Sequence, residues 1–180
     1  LHYWMAASEL GGWDGILPTT MLMNEFKKEG KIATTGNYDS RLYNTIFFKD
    51  PYFNDAANPR IFGETYDDKF GATDKPVFRK HLPSTQEKMD AEFTGLNVPL
   101  MRYSNVLLMK AEALNELTRT GEAIPFINLV RDRADMPAMV GNSYDLVKAQ
   151  IEHERIIEFP LENFRFYDLR RWGKTKSALD

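Results

Sequence analysis

Leu100-Met-Arg-Tyr-Ser-Asn-Val-Leu-Leu-Met-Lys-Ala-Glu-Ala-Leu-Asn-Glu116 is the stretch whose reading decides the fold. Tyr103, Val106, Leu107, Leu114 and Leu117 recur at helical spacing with Ala111 and Ala113 between them, so one broad apolar face can lie against a partner helix. The spacing predicts a long buried helix. Downstream, Glu122 to Ala134 repeats the pattern through Ala123, Phe126, Ile127, Val130 and Ala134. The connection Arg119-Thr-Gly121 is short enough to force antiparallel neighbours. Pro125 lies beyond the first orphan amides if Thr120 or Gly121 is the cap, which predicts a kink or a later start of this second helix.

An aromatic, then the small-residue stretch Lys110-Ala-Glu-Ala113, then a Gly turn, then Ala and Phe on the second helix give the look of a tetratricopeptide-like helix pair. Such a hairpin cannot bury its face alone, so further helices must cover it. Two candidates follow. Asn142 or Ser143 can cap a third helix in which Tyr144, Val147 and Ile151 share a face and which Pro160 stops. A fourth is expected from about Asn163 to Trp172, with Phe164, Tyr167, Leu169 and Trp172 apolar and Gly173 at its end. The fold class expected is mainly α: a tetratricopeptide-like helical pack over 99–180, preceded by a loop-rich, ligand-facing segment over 1–98 carrying a short helix and strands, both parts of one domain.

Upstream of Pro99 the chain is punctuated by Gly, Pro, Asn and Asp, and its apolar residues come in short clusters. Thr20 to Glu29 predicts a helix capped by Thr19 or Thr20, with Leu22, Met23 and Phe26 inward and Gly30 closing it in the left-handed region. Asp39 to Phe48 moves from polar to a β-branched and aromatic run and predicts a short strand, as does Val77 to Leu82. Asn54 to Ala72 carries so many turn formers that it predicts an exposed loop, and Ser84 to Phe93 is undecided.

Composition narrows the function. The 180 residues, 43% hydrophobic, suffice for one domain with a proper core. With 23 basic and 26 acidic side chains the net charge is −3, and no basic stripe exists to bind nucleic acid. There is no Cys, which excludes disulfides, thiolate metal sites and cysteine nucleophiles within the chain. No apolar run approaches a membrane span, and no export signal is visible at Leu1-His-Tyr-Trp-Met5. The missing initiator Met and the start inside an aromatic segment fit a fragment of something longer.

Catalytic chemistry finds little support. Glu154, Glu158, Glu162 and Asp168 offer carboxylates, but their alternation with Arg155, Arg165 and Arg171 at this spacing is the look of a helix surface held by salt bridges. His153-Glu154 begins a zinc-protease pattern that fails at Ile157, and His2 and His81 lack ligand spacing. No nucleophile elbow or phosphate-binding Gly loop is present. The aromatics say more: Trp4, Trp13, Tyr38, Tyr43, Tyr52 and Tyr66 lie among Asn37, Asp39, Arg41, Asn44, Asn54 and Asp67. Aromatic faces can cover the apolar face of a sugar ring while amide, carboxylate and guanidinium groups fix its hydroxyls. The expected ligand-binding residues are Trp4, Trp13, Tyr38, Arg41, Tyr43 and Tyr66; Phe47, Phe48, Phe126, Phe164 and Trp172 are assigned to packing.

Several motifs in one order carry a resemblance. They are Pro99 to Glu116, then Ile127-Asn-Leu-Val-Arg-Asp-Arg-Ala134, Glu154-Arg-Ile-Ile-Glu-Phe159 and Arg165-Phe-Tyr-Asp-Leu-Arg-Arg-Trp-Gly173. Ahead of them come Gly12-Trp13, Pro18-Thr19 and Phe26, Asp39-Ser-Arg-Leu-Tyr-Asn-Thr-Ile-Phe47, and Phe78-Arg-Lys80. Together they resemble the C-terminal half of the SusD/RagB family of outer-membrane nutrient-binding lipoproteins, truncated at both ends. Asn163 stands where Gly is usual, a mild change because Asn also tolerates the left-handed region. The resemblance implies a non-catalytic receptor at the cell surface, anchored in the outer membrane by an N-terminal lipid not present in this chain. It implies oligosaccharide or polysaccharide as ligand and a SusC-like TonB-dependent transporter as partner. No cofactor is implied; a structural Ca²⁺ occurs in such families, and no loop here has the regular acidic spacing to receive it. Two alternatives stand beside this: a peptide-capturing receptor of the same fold, and a helical protein-interaction module.

Overall fold

The computed structural model describes residues 2–179. In chain order the helices are α1 His2–Met5, α2 Thr20–Lys27, α3 Ser40–Thr45, α4 Tyr66–Phe70, α5 Gln86–Asp90, α6 Tyr103–Glu116, α7 Thr120–Arg133, α8 Tyr144–Glu158, α9 Phe164–Arg171 and α10 Thr175–Leu179. Strands β1 Ile46–Phe47 and β2 Val77–Phe78 form the only sheet among the described residues, antiparallel, with Ile46 opposite Phe78 and Phe47 opposite Val77.

Helices α6 and α7 form the expected hairpin, with α8 packed on both. Leu107, Leu108, Ala111 and Leu114 meet Ala123, Ile127 and Val130, with Val147 and Ile151 closing the third side. Small residues at 111 and 123 let the two backbones approach. The buried face differs from the one expected. It runs through Ser104, Leu107, Leu108, Ala111 and Leu114, whereas Tyr103, Val106 and Leu117 are exposed, Tyr103 at 73%. The reason is that α7 and α8 both lie on one side of α6, so apolar residues a quarter-turn round face away from them.

Helix α7 begins at Thr120, earlier than expected, and runs on through Pro125. The amide that proline lacks would have paired with the carbonyl of Gly121, an exposed first-turn residue that water can serve. Ser143 caps α8 by accepting from Leu146 N at 3.3 Å, and Asn163 enters α9 in the left-handed region at φ 63°. Helix α10 is an addition that the sequence reading lacked.

The loop-rich half has its own core of Leu10, Phe26, Leu42, Tyr43, Phe47, Phe48, Phe53 and Tyr66, among others. Thr19 caps α2 as expected, and Met23 and Phe26 are buried. The strand expected over 39–48 is mostly helix: the Asp39 carboxylate accepts from Arg41 N at 2.8 Å and starts α3, leaving only two residues extended. The expected loop over 54–72 contains α4, whose capping box of Thr65 and Asp68 secures both ends of its first turn. Helix α8 joins the halves, since its Ile157 packs into the first core while Val147 and Ile151 serve the second.

Candidate functional site

The exposed aromatic side of the molecule is built by α1 and the turn after it. Trp13 N donates to Tyr3 O at 2.8 Å and Asp14 N to Ala6 O at 3.1 Å, folding the segment back over α1. Gly15 makes the close approach possible: a Cβ there would lie 2.7 Å from Trp4 O and 2.9 Å from Trp4 Cε2. Lys75 Nζ ties the turn down, reaching Glu9 at 3.0 Å and Asp14 at 3.1 Å. The outcome is a pair of indoles edge to face, centroids 6.3 Å apart and planes at 82°, with Tyr3 stacked on Trp13 at 6.0 Å. Trp4 is 52% and Trp13 67% exposed.

This face can cover an apolar ring surface, and the carboxylates beside it suit hydrogen bonding better than proton transfer. Burial works against the charge of Glu9, yet its backbone hydrogen bond and Lys75 hold its pKa below the ordinary value. Hydrogen bonds from Ser8, and then Lys75, hold Asp14 low as well. Both stay ionised at neutral pH and serve as acceptors.

The other four residues expected at the ligand lie elsewhere. Tyr38 is half-buried beneath Lys27 and Lys31, whose Nζ atoms sit 5.5 and 5.2 Å from its ring. Tyr43 is buried against Phe48, Tyr52 and Phe53, and burial pushes its phenol up to about 12. Tyr66 is fully buried; its hydroxyl both donates to Lys75 O and accepts from Lys75 N, each at 2.8 Å. Arg41 is buried in an ion-pair network. Three of the six are thus interior residues: Tyr43 and Tyr66 because aromatic mass in a chain of short elements goes first to the core, and Arg41 because buried carboxylates hold it there. Asp39, Asn44 and Asn54 are likewise engaged, with Arg41, Ser40 O and Asp67 N respectively.

Glu154, Arg155 and Glu158 of α8 and Asp168 of α9 form a buried seam, while Arg171 stays on the helix surface. Arg41 donates to Asp39 at 2.6 Å and to Glu154 at 2.7 Å; Arg131 reaches the other oxygen of Glu154 at 2.7 Å and Glu29 at 2.7 Å. Glu158 takes Arg102 at 2.7 Å and Arg133 at 2.6 Å, and Arg155 pairs with Asp168 at 2.8 Å. Burial disfavours the charge of Arg41, but Asp39 and Glu154 outweigh it and raise its pKa. His153 belongs here too, with Nδ1 2.6 Å from Glu25. Among the described residues, the one group with three metal-type ligand atoms mutually within 4.8 Å is Glu29, His153 and Glu154. Arg131 already neutralises both of its carboxylates, so the group is a structural network.

Sequence reasoning missed Tyr3, which stacks on Trp13 and anchors a distant segment by donating to Asp90 O at 3.0 Å. Its place inside His2-Tyr-Trp4 was the available signal. It also missed the cleft of about 420 Å³ over the seam, lined by Lys80, His81, Arg102 and Arg133 among others. No local motif announces it, since its residues converge from both halves.

Fold and face together define a helical-hairpin scaffold with two exposed indoles on one side and a network of paired charges inside. Residues 2–180 match the SusD family, and the chain belongs to that family. SusD-like protein P38 of Formosa agariphila is 36% identical over 188 aligned residues, 98% of this chain and 35% of that protein. SusD-like protein P2 of the same organism is 39% identical over 80 residues, covering 39% of this chain. A crystal structure of a SusD superfamily protein from Bacteroides vulgatus superposes on 97% of this chain and 37% of its own length, with TM-score 0.85 and 29% identity. A SusD-like protein from Bacteroides fragilis does so over 90% and 37%, with TM-score 0.60 and 25% identity. The chain therefore spans about a third of the length of P38 and of these two structures. No helix among the described residues is long and apolar enough to cross a membrane.

Proposed function

We propose that the chain is part of a cell-surface receptor that binds oligosaccharide without breaking a bond. In this reading a lipid on another part of the protein anchors it in the outer membrane, and it hands the glycan to a SusC-like TonB-dependent transporter. Membership of the SusD family supports the nutrient-uptake setting. The observation that carries the glycan reading is the Trp4–Trp13 pair, held open to solvent by a turn built around it. Large aromatic faces left exposed on a rigid support are what pyranose C–H faces stack against, and ionised Glu9 and Asp14 nearby can accept from hydroxyls.

The test is a paired screen of the chain against a glycan array and a peptide library. Binding to glycans, with no product released on prolonged incubation, is the expected outcome. Signal confined to peptides would move the ligand class to peptide capture, and hydrolysis of a bound glycan would overturn the non-catalytic reading.

A further inference from the structure

The cleft over the seam presents charge of one sign to solvent. Its two carboxylates, Glu158 and Glu162, have side chains only 2% and 3% exposed. The cations paired with them are the groups that water reaches: the side chains of Lys80, Arg102 and Arg133 are 20%, 27% and 57% exposed. Glu158 is shared by three guanidinium groups, Arg133 at 2.6 Å, Arg102 at 2.7 Å and Arg41 at 3.4 Å. Glu162 is shared by Lys80 at 2.5 Å and Arg102 at 2.8 Å. Arg41 has counter-charges of its own in Asp39 and Glu154. Lys80, Arg102 and Arg133 thus stand over two carboxylates, one positive charge in excess. Acids buried behind accessible cations give a cleft whose field draws anions, although the chain as a whole is negative.

Arg133 is the cation with donors to spare. Its Nη2 donates to both oxygens of Glu158, at 2.6 and 2.7 Å, while Nε and Nη1 make no hydrogen bond among the described residues. Arg102, by contrast, commits Nε, Nη1 and Nη2 to Glu158 and Glu162. A carboxylate or sulfate group matches the open edge of a guanidinium through charge-assisted hydrogen bonds. The basic groups of the lining feel the same field. Burial holds Lys80 below its ordinary pKa, with Arg102 adding to the shift and Glu162 opposing it. Burial, and then the charge of Lys80, lower His81 too, so its imidazole is neutral at pH 7 and adds no charge.

The rest of the lining suits a sugar. The cleft measures about 420 Å³, within the roughly 300–1,000 Å³ of small-molecule sites. Ser40 Oγ donates to Ala134 O and keeps its lone pairs, and Asn44 Nδ2 donates to Ser40 O, leaving Oδ1 to accept from a hydroxyl. Pro99 adds exposed apolar surface. We propose that this cleft binds an acidic sugar, its oxyanion on Arg133 beside Arg102 and Lys80, its hydroxyls on Ser40 and Asn44. A bound oxyanion supplies the third negative charge that the three accessible cations lack. The proposal rests on the glycan reading above and narrows its ligand to glycans that carry negative charge.

The test is calorimetric titration of the 180-residue chain with glucuronate, galacturonate and glucose 6-sulfate, against glucose, galactose, acetate and inorganic sulfate. At least one acidic sugar is expected to bind about tenfold or more tighter than its neutral parent and than the bare anion. Its affinity should fall as NaCl rises from about 50 mM to about 500 mM. The uronates and the sulfate ester distinguish a carboxylate ligand from a sulfated one. Arg133→Gln is expected to weaken the binding about tenfold and Asn44→Ala about fivefold. Glu158 keeps Arg102 and Arg41 in the first variant, and the urea midpoint of each reports that it is folded. Trp4→Ala/Trp13→Ala is expected to leave the acidic monosaccharide response unchanged. If glycans bind through the tryptophans and no acidic sugar exceeds its neutral parent, the cleft proposal is overturned and the glycan reading stands. Acetate or sulfate binding as tightly as the acidic sugars would also overturn it, making the cleft a plain anion site. If no sugar of either kind and no oligosaccharide binds, both readings fall.

Discussion

The loop-rich half and the helical half bury separate cores with different side chains. In the helical half, Leu107, Leu108, Ala111, Ala123, Ile127 and Val130 interlock along regular elements. In the loop-rich half, where few elements exceed a turn or two, Tyr43, Phe47, Phe48, Phe53 and Tyr66 do the same task. A ring buries roughly 150–250 Å² on its own, so a few rings can fix a chain that has no long helix to repeat a pattern. Aromatic abundance therefore does not locate a ligand in this protein. What separates Trp4 and Trp13 from Tyr43 and Tyr66 is exposure, and what joins the halves is α8, through its apolar residues and its buried charges together.

The seam is where the comparison breaks most sharply. Arg41→Met leaves Asp39, Glu154 and Glu158 facing each other in the interior and is expected to destabilise the fold by about 3–5 kcal/mol in urea unfolding. Tyr66→Phe removes the shared partner of Lys75 N and Lys75 O and is expected to lower stability by about 1–3 kcal/mol. Glycan affinity should not change with it, because the hydroxyl is interior; a loss of affinity at unchanged stability would return Tyr66 to the ligand.

Acid probes the same seam. Burial opposes the charge of Glu29, but hydrogen bonds from Arg131 and Gln150 bring its pKa down from 4.5 to about 2. Folded Glu29 thus binds its proton less readily than unfolded Glu29. The stability it supplies is full above about pH 4.5 and drains away as pH falls towards 2. Glu29→Gln should flatten the fall of the unfolding midpoint over that window. The smallest effect is expected at Arg119, whose pair with Glu122 is more than half exposed at both ends. Arg119→Ala should leave the urea unfolding midpoint at the wild-type value, with any small shift erased by salt.

The helical half was legible because its information is local. Period, caps and turns place α6, α8 and α9 to within a few residues, and of the two cap candidates for α8, Asn142 and Ser143, the structure uses Ser143. The outward turn of Tyr103 was not legible, since it depends on which side α7 and α8 take. In the loop-rich half, α3 was mistaken for strand because β-branched and aromatic residues from Thr45 to Phe48 outweighed one strong signal, the capping carboxylate of Asp39. At the site, type was readable and depth was not. The sequence shows which rings and guanidinium groups exist, but burial of Arg41, Tyr43 and Tyr66 is decided by contacts across the whole chain. The same holds for Glu154, which looks like a surface charge in sequence and is fully buried between two guanidinium groups.

The central claim is that exposed rings bind while buried rings and buried charges hold the fold. Its most direct test is glycan affinity and urea stability measured together on wild type and on Trp4→Ala/Trp13→Ala. The account predicts at least a thirtyfold loss of affinity, the equivalent of about 2 kcal/mol at a binding hot spot. The unfolding free energy should stay within about 1 kcal/mol of wild type. Unchanged affinity in a folded double variant would contradict the account and place the ligand away from the tryptophan face.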